Sequence, residues 1–265
     1  MVNDFMDAGE RAGSDGRGMS VLLNGIAVLG AFSSEEPQLG VTEIAAKVGL
    51  HKSTVSRILA TLEQTGMVER DELSRRFRLG LGVLALAGPL LGDLDVRRAA
   101  YPVLSDLSIR TGETAALMVW NEPESVCVEE VSSRRQVKHT TPLGTRYNTA
   151  ASSSVQVFCA AVDENRVRGL LEQGSLRAAG TDEWAVERYL TRLGEVRELG
   201  YAVNYGETSA EEVGIAAAVH DHRGKQSAAV LLSAPRFRVS RQQLDAYGEM
   251  VREAAATITA RLGGA

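Results

Sequence analysis

The chain has 265 residues, 44% of them hydrophobic and 24% charged, with a formal net charge of −5 at pH 7. That balance suits a globular protein long enough for two domains, and it excludes a surface coated in basic charge, so any polyanion must meet a local patch. No run approaches the roughly 18 apolar residues of a membrane span, so no membrane is expected as a partner. The start, MVNDFMDAGERAGSDGRG, has acids and glycines but no apolar core of a secretory signal, and residues 1–18 read as a disordered tail. Cys127 and Cys159 sit in the apolar runs SVCVEEV and VQVFCAAV. They are expected as buried free thiols, which fits a reducing cytoplasm.

Order begins near Ser20, where SVLLNGIAVLGAF puts Leu22, Ile26, Leu29 and Phe32 at helical spacing before the polar loop SSEEPQLG. A second short helix follows, with Thr42 as its N-cap and Ile44, Ala45 and Val48 as its inner stripe; Gly49 marks a tight turn. The third helix, Lys52 to Thr65, carries Val55, Ile58, Leu59 and Leu62 on one face, and Gly66 is placed to cap it. MVERDELSRRFRLG reads as two short strands around an acidic-then-basic turn, one beginning at Val68 and the other alternating Phe77 and Leu79. Residues 19–81 thus hold the parts of a winged helix-turn-helix. LGVLALAGPLLGDL, giving residues 82–94, is a linker helix that Pro89 should kink or interrupt.

From residue 95 to 265 helices alternate with strands. VRRAAYPVLSDLSIRTG is helical to Gly112, and TAALMVW and SVCVEEVS are strands joined through NEPE. SSSVQVFCAAV, ENRVRGLLEQG and the run from Glu183 to Leu199 read as helices. YAVNY, VGIAAAVHD and SAAVLLSA return to strand, and an amphipathic helix from Arg241 to Leu262 closes the chain. Helices set against an antiparallel sheet make this half an α+β domain.

The third helix buries its apolar stripe, so its opposite face shows Lys52, Ser53, Ser56, Arg57 and Thr61, with His51 and Thr54 at the entry. A short, polar, cationic surface of this kind suits the major groove of double-stranded DNA, where Lys and Arg reach phosphates or guanine acceptors. Arg75, Arg76 and Arg78 on the wing suit the backbone or minor groove. Between Thr42 and Gly80 there are seven basic and five acidic residues, a local excess of positive charge in an acidic chain.

VTEIAAKVGLHKSTVSRILATLEQTGMVERD followed by RRFRLG resembles the DNA-binding domain of the IclR family of bacterial regulators. The resemblance extends through RRAAYPVLSDLSIRTGETAALMVW, PLGTRYN and LGYAVNYGETSAEEVGIAAAVHDHRGKQSAAVLLSAP. It implies a DNA-binding regulator, and the residues expected at the operator are Thr42, His51, Lys52, Ser53, Thr54, Ser56, Arg57, Arg75 and Arg76. It also implies a GAF-like effector domain for a small carboxylate or aromatic metabolite, and a homodimer through the DNA-binding half, often a dimer of dimers. Ser152, Ser153, Asn204, Gly214 and Ser233 fall on the family's pocket positions, and Met118, Trp120 and Leu143 are read either as an apolar wall or as ordinary core. The serines Ser152 to Ser154 could receive an anion at a helix N-terminus or simply cap that helix. Several of these positions depart from the family's usual residues. Val155-Gln156 replaces a Gly-Lys pair, Asn204 an acid, Gly214 a frequent cysteine and Ala218 a proline. Loss of the acid at 204 should ease binding of an anionic or neutral ligand.

An enzyme is the competing reading. His220 and His222 share a strand face, as a metal pair would, but the DHRG turn beside them suits an exposed hairpin end. No G-x-S-x-G elbow and no phosphate-binding glycine loop occurs, so no catalytic residue, metal or cofactor is expected. A winged helix can also serve purely as a protein-docking module, and DNA binding separates the two.

Overall fold

The computed structural model describes residues 16–33, 36–93, 95–177 and 185–264. The chain divides into two compact units, Met1–Asp93 and Leu94–Ala265. In the first, α1 (Gly16–Gly30), α2 (Val41–Val48) and α3 (Lys52–Gln64) precede the hairpin β1 (Val68–Arg70) and β2 (Phe77–Leu79), and α4 (Gly82–Asp93) follows. Gly16 to Gly18, expected in a disordered tail, are helical here, and the remainder of that tail lies outside the described residues. Extending an existing helix needs no new nucleus, so weak helix formers can be carried at its end.

The small core of this unit gathers Val28 from α1, Ala31 and Phe32 just beyond its end, Ile44, Ala45 and Val48 from α2, Val55 and Leu59 from α3, and Val68 and Phe77 from the wing. The first half of the α1 stripe lies outside this core: Leu22 is 68% exposed, and Val21 and Ile26 are exposed beside it. Thr42 is not an N-cap. Gly40 holds that position, and its N–H donates to Glu43 Oε2 at 2.7 Å, so the reciprocal carboxylate does the capping from inside the helix. Gly66 lies one residue beyond the C-cap Thr65 with φ 69°. Its N–H bonds Glu63 O at 3.0 Å and that of Met67 bonds Leu62 O at 2.9 Å, the paired bonds of a Schellman stop. The helix α4 continues through Pro89 without interruption.

The second unit contains α5 (Asp95–Thr111), β3 (Thr114–Asn121), β4 (Glu124–Val131), β5 (Arg146–Tyr147), α6 (Ser153–Ala160), α7 (Glu164–Glu172) and α8 (Ala185–Leu199). It continues with β6 (Ala202–Tyr205), β7 (Glu212–His220), β8 (Gln226–Pro235) and α9 (Arg241–Arg261). Residues 183 and 184, expected at the start of α8, lie outside the described residues. The strands form one antiparallel sheet in the order β5-β4-β3-β8-β7-β6, confirming the α+β class with helices on both faces. Strand alternation assigns the faces. Ala228, Val230, Leu232 and Ala234 of β8 pack toward α5 and α9, while Ala229 and Leu231 pack toward α6. By the same period Ser233, its partners Gly214 and Thr114, and Asn204 opposite Gly214 belong to the α6 side.

Candidate functional site

The buried Val55 and Leu59 fix the rotation of α3 and leave Lys52, Ser53, Ser56, Arg57 and Thr61 exposed, with Thr54 half-buried. His51 is the N-cap. Its Nδ1 accepts the Ser53 N–H at 3.4 Å and lies 2.8 Å from Ser53 Oγ, so these two side chains are engaged in starting the helix. Lys52 and Arg57 have no acidic partner among the described residues. Exposed Thr42 stands in the first turn of α2.

In the wing, the Asp71 carboxylate accepts the Ser74 N–H at 2.6 Å and its hydroxyl at 2.7 Å, and these contacts hold its pKa below the ordinary value. Arg75 follows with φ 60°, a left-handed conformation that projects it from the turn. Arg76 is committed elsewhere: it donates to Glu43 Oε2 at 2.6 Å and to Gln38 O at 3.3 Å, tying the wing to α2. Arg78 is paired with Glu69 and Arg70 lies over the Phe77 ring. The cations without an acidic partner among the described residues of this segment are therefore Lys52, Arg57, Arg70 and Arg75, of which Arg70 lies over the Phe77 ring, and Arg76 acts as a brace.

In the second unit α6 starts in a buried position. Ser152 is its N-cap, yet the hydroxyl makes no cap bond and lies 3.2 Å from Ser154 Oγ. The N–H groups of Ser153, Ser154 and Val155 have no acceptor among the described residues, although all three residues are buried. Three water-shielded donors at the positive end of a helix suit an anion. Beneath them a Cβ on Gly214 would lie 3.0 Å from Ser153 Oγ and 3.9 Å from Asn204 Cβ, so glycine is what lets the serine approach the sheet. Ser153, Asn204, Gly214 and Ser233 thus converge, with Met118 fully buried in the apolar cluster on the same face. Leu143 is not brought into this group: it is 56% exposed on the turn between β4 and β5.

Four further residues complete the polar ring. Asn204 Nδ2 donates to Thr208 Oγ1, and Thr208 hydrogen-bonds the Glu212 carboxylate. Thr141 Oγ1 lies 3.4 Å from Ser233 Oγ and hydrogen-bonds Tyr147. Burial pushes the Tyr147 phenol up to about 12, with Glu212 as an additional negative neighbour. Burial likewise raises the Glu212 carboxyl, against the pull of His139 and the Thr208 hydrogen bond. Thr141 and Tyr147 come from coil and a two-residue strand, where no periodicity exists to read. Glu212 did carry a signal, since counting back two positions from Gly214 puts it on the same face.

Burial raises the thiols of Cys127 and Cys159 to about 12 and about 11, so both are protonated and unreactive at neutral pH. Among the described residues no group of three or more His, Cys, Asp or Glu side chains is placed to hold a metal ion. No described helix is long and apolar enough to cross a membrane.

The family model of the bacterial transcriptional regulator IclR C-terminal domain matches residues 89–260, and the IclR helix-turn-helix domain matches residues 21–72. The HTH-type transcriptional repressor AllR of Escherichia coli K12 is 28% identical over 248 residues, covering 93% of this chain and 92% of that protein. A solved domain of an IclR-family regulator is 60% identical, with TM-score 0.63, and covers 64% of this chain and 98% of that one. An IclR homologue from Microbacterium hydrocarbonoxydans, solved in complex with 4-hydroxybenzoate, shares the fold with TM-score 0.74 at 24% identity, covering 91% of this chain and 98% of that one.

Proposed function

The chain belongs to the IclR family of bacterial transcriptional regulators, and we propose that its α3 face reads operator DNA while the pocket under α6 holds the effector. The observation that carries the DNA reading is the contrast in charge pairing. Arg76, Arg78 and Lys47 are each held by an acid, whereas Lys52 and Arg57 on exposed α3 are not. Lys52 and Arg57 meet phosphates or guanine edges, Ser56 and Thr54 adjust to base edges, and Arg75 follows the backbone. His51 and Ser53 hold the start of α3, and Thr42 adds a hydroxyl from the first turn of α2.

The effector reading rests on the unclaimed N–H groups of Ser153, Ser154 and Val155, which suit the carboxylate of a small aliphatic or aromatic acid. Ser152, Ser153, Asn204 and Ser233 supply its polar contacts and Met118 its apolar floor. Exposed Val21, Leu22 and Ile26 on α1, with Leu84 and Leu86 on α4, support assembly as a homodimer through the DNA-binding half. Such a dimer presents two recognition helices to a pseudo-palindromic operator.

The test uses the full chain and the duplex it selects from a random pool. Arg57→Ala should weaken specific binding by about tenfold or more and lower the slope of log K against log salt by about 0.9 if one phosphate contact is lost. Unchanged selection and affinity in that variant would remove Arg57 from the reading surface.

A further inference from the structure

The second unit buries Glu113 fully and Glu212 in part, and treats the two in opposite ways. Glu113, 1% exposed, accepts from Arg135 Nη1 at 2.8 Å and from Arg238 Nε and Nη2 at 2.9 and 2.8 Å, so its charge is neutralised within the fold. Glu212 stands on the α6 face of β7, two residues from Gly214. Its side chain has the Thr208 hydroxyl as donor and His139 and Tyr147 as neighbours, and no Lys or Arg among the described residues acts on it. On the other side of Tyr147, Glu130 adds a second acid, its Oε2 accepting the Thr141 N–H at 2.6 Å and its Oε1 the Ser132 hydroxyl. A carboxylate offers about four acceptor sites, so most of the capacity of Glu212 is unused by these neighbours.

We propose that the effector carries, besides its acid group, a hydrogen-bond donor that Glu212 accepts, a hydroxyl or an amine. This rests on reading the α6 side of the sheet as the effector site. A ligand with only a carboxylate would bring like charge toward Glu212 and Glu130 and leave acceptors unpaired. A donor facing Glu212 removes both penalties. The spacing follows from the strand. Ser153 lies over Gly214, and two residues of strand separate Gly214 from Glu212, about 7 Å at ~3.4 Å per residue. The donor therefore sits well away from the carboxylate, at the far end of a five-carbon chain or across a ring.

The test measures calorimetric affinity of the full chain for pentanoate, 5-hydroxypentanoate, 5-aminopentanoate and 2-hydroxypentanoate, and for benzoate and 4-aminobenzoate. The end-substituted acids should bind at least tenfold more tightly than their plain counterparts, and 2-hydroxypentanoate should gain nothing. Glu212→Leu should abolish the preference. Glu212→Gln keeps an acceptor without the charge, so it should lose more for the ammonium than for the hydroxyl, and it serves should the leucine variant fail to fold. A wild type that binds no end-substituted acid better than its plain counterpart overturns the proposal, as does a preference that survives in Glu212→Leu. Ser153→Ala with Asn204→Ala separates the two readings. Binding that this pair leaves intact removes the site itself, whereas binding that it weakens without any donor preference removes only the role of Glu212.

Discussion

A carboxylate taken out of water is costly unless something returns the lost solvation, and Glu212 has been given little in return. Its raised pKa makes it a stability lever with a definite sign. A group whose folded pKa lies above its unfolded one contributes stability that is fully present below the unfolded value, near 4.5. That contribution is lost as pH rises through the folded pKa. Replacing the residue by Gln removes this dependence, so Glu212→Gln should melt above the wild type at pH 7, with the difference shrinking toward pH 4. His139 and Tyr147 flank the same carboxylate, so the comparison is made between proteins that differ only at position 212. Thermal unfolding across that range checks it, and a difference that grows toward acid pH would show that the burial penalty is not what the charge experiences.

At the scale of elements, the crossing of β2 over the end of α3 depends on two glycines. A Cβ on Gly80 would lie 2.2 Å from Gly66 O, and one on Gly82 2.7 Å from the same atom, because the Gly80 and Gly82 N–H groups bond Met67 O and Gly66 O at 2.8 and 2.9 Å. Gly80→Ala should destabilise the DNA-binding unit by about 1–3 kcal/mol, as overpacking does. Gly88→Ala on α4, where nothing lies within 4 Å, should be neutral or stabilising by up to ~1 kcal/mol. Urea unfolding of the two variants reads the contrast, and equal effects would mean that the crossing relaxes freely.

The same elements show what a sequence can announce. α3 and the wing were legible because their signals are local: apolar spacing within one helix and alternation within a hairpin. The cap of α2 was misread because a side chain three residues inside the helix did the work expected of Thr42. In the effector domain, Ser153, Asn204, Gly214 and Ser233 came from family resemblance, and the sheet register explains why they meet. Thr141 escaped both routes, since its contact with Ser233 joins residues 92 positions apart through the pairing of β3 with β8. Cavity size points to a different place: an open cavity of about 1080 Å³ is lined by His139, Tyr205, Arg236 and Phe237, and by none of those four converging residues.

For the whole molecule, the proposed reading face and the proposed effector site lie in different units, so ligand control of DNA must pass through an equilibrium that both ends bias. Whatever the sign of that control, its symmetry is fixed by linkage. If the tightest-binding acid of the panel changes operator affinity by some factor, operator DNA must change the affinity for that acid by the same factor, and such factors typically run from about 5 to 150. Both are measurable by titrating DNA with the acid absent or saturating, and the acid with DNA absent or saturating. The proposed dimer adds a condition, because the apolar face of α1 and α4 would make DNA binding depend on protein concentration where monomers persist. Equal factors that hold across protein concentration place the linkage within a pre-formed dimer. Factors that drift with concentration would mean that the ligand acts on assembly, and unequal factors at fixed assembly would mean that the two titrations do not share one equilibrium.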